Sequence, residues 1–398
     1  MTSNVCLSYP NRIDECTITE TGSATWNSLL PLTNIQNKVI KRVARTDIGK
    51  RTSELKINLP YESRSIGVVS VIGHNFTTNA KVRFIGYSGL DFTGDVRFDS
   101  GANYRAWTIL YPIYADGAAG SKIPWESSNW WLGSVEKEQR DSYTSLATFY
   151  PPKRTDNPID APNNNNYMVR SIKLVIDDTP STPVTSSTSV TVGMGSKTFT
   201  FATGLSFVAG QEITIYKTSD STTFVSGKIQ SYNSSTGDLT LNSTMYGGTG
   251  SHSAWSLING DNYLEIGRVF LGRTVEPRIN PEYGDISQGY VDLTEIQRSI
   301  DNTKYFYIKP KMRTLSCVLK HLSQSESFSG FYDAQREVGL SGELLYTYSK
   351  PDYIGDINMT YDKNFYARNF LCNFSELSPI DNPYVNGFQT SLKLEEII

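Results

Sequence analysis

The chain has 398 residues, enough for two or three domains that each bury a core of ordinary size. A net charge of −3, with charged residues at 19%, gives no overall basic field to attract nucleic acid. No stretch approaches the roughly 18 apolar residues of a membrane span, and the N-terminus lacks the basic region and apolar run of a secretory signal. A soluble product made in a cytoplasm, with no membrane insertion, is therefore expected. In that setting Cys6, Cys16, Cys317 and Cys372, which lack metal-ligand spacing, read as reduced and buried thiols.

The first elements in chain order are strands. Ser53 to Leu59 alternates, with Leu55, Ile57 and Leu59 on one face. Ser65 to Asn75 is nearly continuous apolar, the pattern of a central strand buried on both faces. Ala80 to Gly86 alternates again. Upstream, Trp26 to Gln36 places an aromatic and several aliphatics beside an Asn-rich turn. The basic run Lys38 to Arg45, with Lys50-Arg51, reads as a solvated loop rather than a phosphate contact.

Between Asp99 and Tyr150 lies an aromatic concentration with Trp107, Trp125, Trp130 and Trp131 beside Tyr104, Tyr111 and Tyr114. Aromatic faces flanked by Asn and Asp suit sugar recognition, but the same residues could fill the sandwich core or a subunit interface, where Trp and Tyr are also enriched, and that reading is favoured over a glycan site. Adjacent residues of a strand face opposite sides, so Trp130 and Trp131 cannot both point inward on one strand. At least one of them is expected at an interface or exposed site. The Pro- and Asn-rich stretch from Pro151 to Asn166 reads as an exposed loop.

Composition then changes abruptly. Thr179 to Ile258 is rich in Ser, Thr and Gly with almost no charge. Its flanks, Tyr167 to Asp178 and Tyr263 to Gly272, both alternate at period 2 and read as the halves of one hairpin that the insert interrupts. Within the insert, short alternating strands are joined by Gly turns, and Asn233 to Gly237 forms a hairpin loop with Gly in the left-handed position. A small core is expected from Phe199, Phe201, Leu205, Phe207, Ile213, Ile215, Ile229, Leu239, Leu241 and Trp255.

Beyond residue 275, Lys304 to Lys309 and Thr314 to Leu322 read as strands. Ser323-Gln-Ser-Glu326 is a capping box opening one helix over about 324–338, with Gly339 at its C′ position. Leu344 to Tyr348 and Gly387 to Glu395 add strands, which makes 276–398 an α+β domain.

An enzyme is not expected. The three histidines, His74, His252 and His321, belong to separate places, and no nucleophile elbow, phosphate loop or zinc motif occurs. No cofactor is implied. Asp177-Asp178 and Asp91/Asp95/Asp99 offer oxygen ligands for a structural Ca²⁺, though turn carboxylates account for them as well.

Two resemblances refine this reading. Leu-Pro-Leu-Thr-Asn-Ile at 30–35, Leu-Lys-Ile-Asn-Leu at 55–59 and the run 65–75 follow an order similar to the discoidin, or galactose-binding-like, β-sandwich. The closing strands of that family match Arg170 to Leu174 and Glu265 to Gly272. Its Asp-Leu-Gly is replaced here by Asn58-Leu59-Pro60, and the insert splits the closing pair. The match covers about half the chain. The combination also resembles minor structural proteins of tailed bacteriophages, which carry Arg-Val-Ala-Arg (42–45) and Gly-His-Asn (73–75) in this context. The insert is similar, over nearly all its length, to a small β module recurring in phage tail and fibre proteins.

The expected architecture is mainly β. A galactose-binding-like sandwich (1–178 plus 259–275) is interrupted by a small all-β module (179–258) and followed by the α+β domain. The resemblance implies a non-enzymatic virion protein of the tail tip or fibre attachment, partnered by other tail proteins and by copies of itself in a ring. Alternatives are a carbohydrate-binding receptor-recognition protein and a capsid decoration protein. Trp107, Trp125, Trp130, Trp131 and Trp255 are the candidate glycan or interface residues.

Overall fold

The computed structural model describes residues 4–60, 62–76, 80–101, 146–152, 166–179, 184–205, 207, 209–210, 212–259, 262–282, 284–309, 311–348 and 368–397. The protein is mainly β, and among the described residues every strand pairing is antiparallel.

One layer of the sandwich is a five-stranded sheet in the order Thr17–Glu20, Thr52–Asn58, Ser171–Asp177, Lys81–Tyr87, Val96–Asp99. Its alternation is one-sided because one face meets water. Leu55, Leu174 and Phe84 stand in register across three strands and are fully buried. The facing layer holds Val68–His74, Leu146–Phe149 and the long strand Glu265–Val275. Val69, Val71, Phe149, Val269 and Leu271 of that layer share one cluster with Leu55, Ile57, Ile172 and Leu174 of the first. The other face of Val68–His74 is also covered, with Val68 and Ile72 in a second cluster alongside Phe270, Leu345 and Leu371. Burial on both faces explains the unbroken apolar run of that strand.

Two expectations are corrected. Ser171–Asp177 and Glu265–Val275 do not pair as a hairpin. The first lies between Thr52–Asn58 and Lys81–Tyr87, the second beside Val68–His74 in the opposite layer. Both alternate because each lines the same core from its own side, and alternation does not identify a strand's partner. Residues 4–10, counted with the sandwich in the sequence, join the C-terminal core instead. Cys6–Tyr9 bonds to Glu265–Val275 on one side and Leu344–Thr347 on the other, and Val5, Leu7 and Tyr9 pack with Phe331, Leu344, Tyr346 and Phe370. One sheet therefore runs from the sandwich, through Cys6–Tyr9, into the C-terminal region.

In that region Leu344–Thr347, Asn369–Glu376, Gly387–Glu396 and Lys311–Leu322 continue the sheet, and a helical segment packs on it. The Ser323–Glu326 capping box forms. The Ser323 backbone N–H donates to the Glu326 carboxylate at 2.7 Å, and the Glu326 N–H donates to Ser323 Oγ at 3.3 Å. The segment is wider than a regular helix over Glu326–Tyr332 and becomes α-helical over Asp333–Val338, stopping at Gly339 (φ +57°). All four thiols are buried and, among the described residues, none forms a disulfide; burial raises Cys16 and Cys317 to about 12.

The inserted module forms a six-stranded sheet in the order Val184–Ser186, Trp255–Asn259, Glu212–Lys217, Asp220–Tyr232, Asp238–Gly247, Gly195–Thr200. Its core is the set read from the sequence, with Leu205 partly buried and Val190, Val225 and Leu257 added. Gly237 takes φ +80° where the Asn233 loop closes.

Past the sheet edge, Ile286–Asp292 pairs with Lys311–Cys317 and the ribbon continues as Glu295–Arg298 against Lys304–Tyr307. Almost every residue of this arm beyond Ile286, out to its tip and back to Tyr307, is exposed.

Candidate functional site

The structure separates the residues nominated by the sequence. Trp107, Trp125, Trp130 and Trp131 lie outside the described residues. Trp255 is fully buried in the module core, edge-on to Phe199, with Nε1 donating to the Thr188 and His252 carbonyls at 3.1 and 2.8 Å. It organises the module and is not available to a ligand. His74, His252 and His321 lie in the sandwich, the module and the C-terminal sheet respectively. Burial lowers His74 to about 3, so it stays neutral at ordinary pH while its Nδ1 accepts the Phe76 N–H at 3.2 Å. Among the described residues no group of three His, Cys, Asp or Glu is placed to hold a metal. The nominated carboxylates have other partners. Asp99 takes a bidentate pair from Arg83, which lowers its pKa. Asp91 is held by Lys56 at 2.7 Å and by Asn58 at 2.9 Å. Asp178 is buried against Arg51.

That last pair belongs to a structure the sequence reading missed, the mount of the inserted module. The segment Thr46 to Arg51 reaches both points where the chain leaves and re-enters the sandwich. At the exit, the Arg51 guanidinium pairs with the Asp178 carboxylate, and the Asp178 N–H donates to the Arg51 carbonyl at 3.0 Å. At the return, the Thr46 N–H donates to the Leu264 carbonyl at 3.0 Å, the Leu264 N–H donates back to Thr46 Oγ1 at 2.9 Å, and the Gly49 N–H donates to the Asn262 carbonyl at 2.7 Å. Ser221 of the module completes the mount. Its hydroxyl donates to the Gly49 carbonyl at 3.2 Å and its carbonyl accepts from Asn262 Nδ2 at 2.9 Å. Gly49 is required there, since its φ is +87° and a Cβ would lie 2.6 Å from Ser221 Oγ. The basic run noted in the sequence thus ends in a buried clamp. Its Arg45 pairs with Glu265 and lies over the Tyr263 ring.

The second junction, between sandwich and C-terminal region, centres on Arg268. The side chain is completely buried, bonded by both terminal nitrogens to Asp14 (2.7 and 2.9 Å) and through Nε and Nη2 to Glu343 Oε2 (3.0 and 2.7 Å). Asn11 Nδ2 adds a bond to the same Glu343 oxygen at 2.7 Å. Nearby, the Tyr9 hydroxyl donates to the Gly330 carbonyl at 2.6 Å, and Arg273 reaches both Tyr9 Oη and Asp333 at 2.7 Å. Desolvation raises the Tyr9 pKa well above its ordinary value. These are charges used to join layers. The geometry of both junctions serves to position folded units against one another.

No protein-family model matches the chain, and no curated protein matches it. Among solved structures, a fucolectin from striped bass (Morone saxatilis) serum is 11% identical, with 67% of this chain and 99% of that one covered at a TM-score of 0.22. The mycobacterial arabinofuranosyltransferase AftD is 7% identical, with 99% of this chain and 26% of that one covered at a TM-score of 0.19. At these scores neither likeness carries a functional argument. The mainly β class rests on the sheets themselves.

Proposed function

We propose that this is a non-enzymatic structural protein of a tailed-phage virion. It acts as a tail-tip or fibre-attachment adaptor that assembles with copies of itself and with other tail proteins. It is made in the host cytoplasm, and it carries the inserted module outward as a decorating or adhesive surface. The observation that supports this reading most directly is the mount. The chain is pinned on the sandwich where it leaves for the module and where it returns, by Arg51–Asp178 and Thr46–Leu264, and the module, which has its own core, adds Ser221 bonded to Gly49 and Asn262. A rigid mount of this kind presents a surface in a fixed direction, which suits a repeated assembly in which modest contacts add by multivalency. The resemblances at 30–75, 170–272 and across the insert supply the phage context.

The test is imaging of virions labelled with antibody against the 184–259 module. Label at the tail tip or fibre base is expected. Label over the head would make the protein a capsid decoration, and unlabelled virions would remove the structural reading.

A further inference from the structure

Beyond Ile286 the described residues of the arm 286–311 are almost all exposed. A two-stranded ribbon is at best marginally stable alone in water, yet this one exposes Ile296, Ile300, Tyr305, Phe306, Tyr307 and Ile308. Both faces are involved, since Ile296 stands opposite Phe306 while Gln297 stands opposite Tyr305 and Glu295 opposite Tyr307. Arg298 is paired directly across from Lys304, a like-charge pair that costs stability unless an anion arrives from outside. Among the described residues neither meets a carboxylate. Arg298 bonds only the neutral amide oxygen of Asn302.

A matching surface exists at the far end of the same sheet. Lys311–Leu322 pairs with Gly387–Glu396 so that Thr314 faces Glu395 and Leu322 faces Phe388. The arm therefore leaves one end of Lys311–Leu322, while the hairpin tip after Tyr384 lies beyond the other, roughly 40 Å away at ordinary strand rise. That far end exposes Tyr384 and Val385, with Phe328 and Tyr332 about half exposed and Phe328 edge-on to Phe388. Asp381, on the same hairpin, is exposed and meets no cation among the described residues. The arm offers aromatics with unneutralised cations; the hairpin end offers aromatics with an unneutralised carboxylate. Their separation keeps them from meeting within one chain.

We infer that the arm of one copy docks on the Tyr384–Val385 hairpin end of a second copy, head to tail. The inference rests on the assembly part of the function proposed above and names its interface. The six exposed arm residues offer about 800 Å² in all, taking roughly 200 Å² per whole aromatic side chain; because they lie on both faces, one docked surface covers part of that, a weak contact that repetition on every copy adds up. A heterologous contact of this kind repeats around an axis and closes a ring when the rotation allows.

Sedimentation of the purified full chain across a micromolar series tests it. The wild-type chain is expected to associate beyond a dimer as concentration rises. Phe306→Asp and Val385→Asp, both exposed positions checked for unchanged thermal unfolding, are each expected to weaken association at least about 10-fold. Mixed one to one, the two variants still own one intact surface each and are expected to form a dimer and nothing larger. A monomeric wild-type chain, a variant that assembles as wild type, or a mixture that stays monomeric would overturn the inference. Because the virion label is read independently of these results, failure here leaves the virion reading to its own test.

Discussion

The two junctions of this molecule are built on different physical plans. The C-terminal region joins the sandwich by sharing its sheet: Cys6–Tyr9 is hydrogen-bonded on both sides, and Arg268 is buried between Asp14 and Glu343. The inserted module joins by backbone bonds at its two chain crossings, the Arg51–Asp178 pair and the contacts of Ser221 with Gly49 and Asn262, and it keeps a separate core. The first junction is part of two cores at once, so both sides lean on it. The second is a mount that orients a unit already complete. A continuous sheet transmits assembly forces, while a mounted module is exchangeable, and the two plans divide the proposed tasks of assembling and presenting.

The largest expected effect breaks the first junction. Arg268→Ala leaves Glu343, 3% exposed, without its cation and is expected to cost about 3–5 kcal/mol. Denaturant unfolding followed in the sandwich and in the C-terminal region should shift together, while the module's transition stays in place. The paired replacement Arg268→Met with Glu343→Leu should recover much of the loss, because it removes the buried charge as well as its partner. Separate shifts for the sandwich and the C-terminal region would show that the shared sheet does not couple them.

A smaller effect is expected at the mount. Gly49→Ala forces a side chain into a left-handed conformation and against Ser221 Oγ, with a cost of about 1–2 kcal/mol. The readout is amide exchange. The Gly49 N–H and the residues around Asn262 and Leu264 should lose protection, while strands such as Asp238–Gly247 in the module core keep theirs. Equal loss of protection throughout the module would mean that its core depends on the mount.

The contrast also explains what the sequence revealed. Local patterns were legible where one face of an element is wet and the other dry. Leu55-Lys-Ile-Asn-Leu59 shows this in the sandwich, Phe199, Leu239 and Leu241 show it in the module, and the Ser323–Glu326 box shows it at the helix start. Partners across the fold were not legible. Ser171–Asp177 and Glu265–Val275 line one core from opposite layers, and their identical periodicity read as a hairpin. Cys6–Tyr9 is four buried residues with no alternation to read. Arg268 occupies a position that, in a half-buried strand, would face solvent. The exposure of the arm was not legible for the converse reason: Lys304 to Lys309 reads as a strand, but an unbroken apolar run such as Tyr305 to Ile308 ordinarily belongs to a buried one, and only the structure shows it exposed. Of the mount, Asp177-Asp178 was visible only as a pair of carboxylates; the arginine that neutralises Asp178 lies 127 residues away in sequence.

The smallest effect on the host is expected from removing the module entirely, and the corrected topology decides how this must be done. The strands to be joined lie in opposite layers, which pack about 10 Å apart, so a two-residue hairpin turn cannot connect them without pulling one out of register. A flexible link of about six residues spans the gap with slack at roughly 3.3 Å per residue. Deleting 180–260 in favour of such a link retains Asp178, Asn262 and Leu264, so the Arg51, Gly49 and Thr46 clamps survive on both sides. The folded module holds these ends in place, and a flexible link gives up some of that order, but doubling a loop's length costs only about 0.6 kcal/mol. The host's cooperative unfolding should therefore be kept, with a stability loss of about 1 kcal/mol, while the version with a two-residue turn unfolds early or aggregates. If both versions lose the transition alike, the module contributes to the host core and the mount is part of the fold. If both keep it alike, the strand ends lie closer together than the layered arrangement requires.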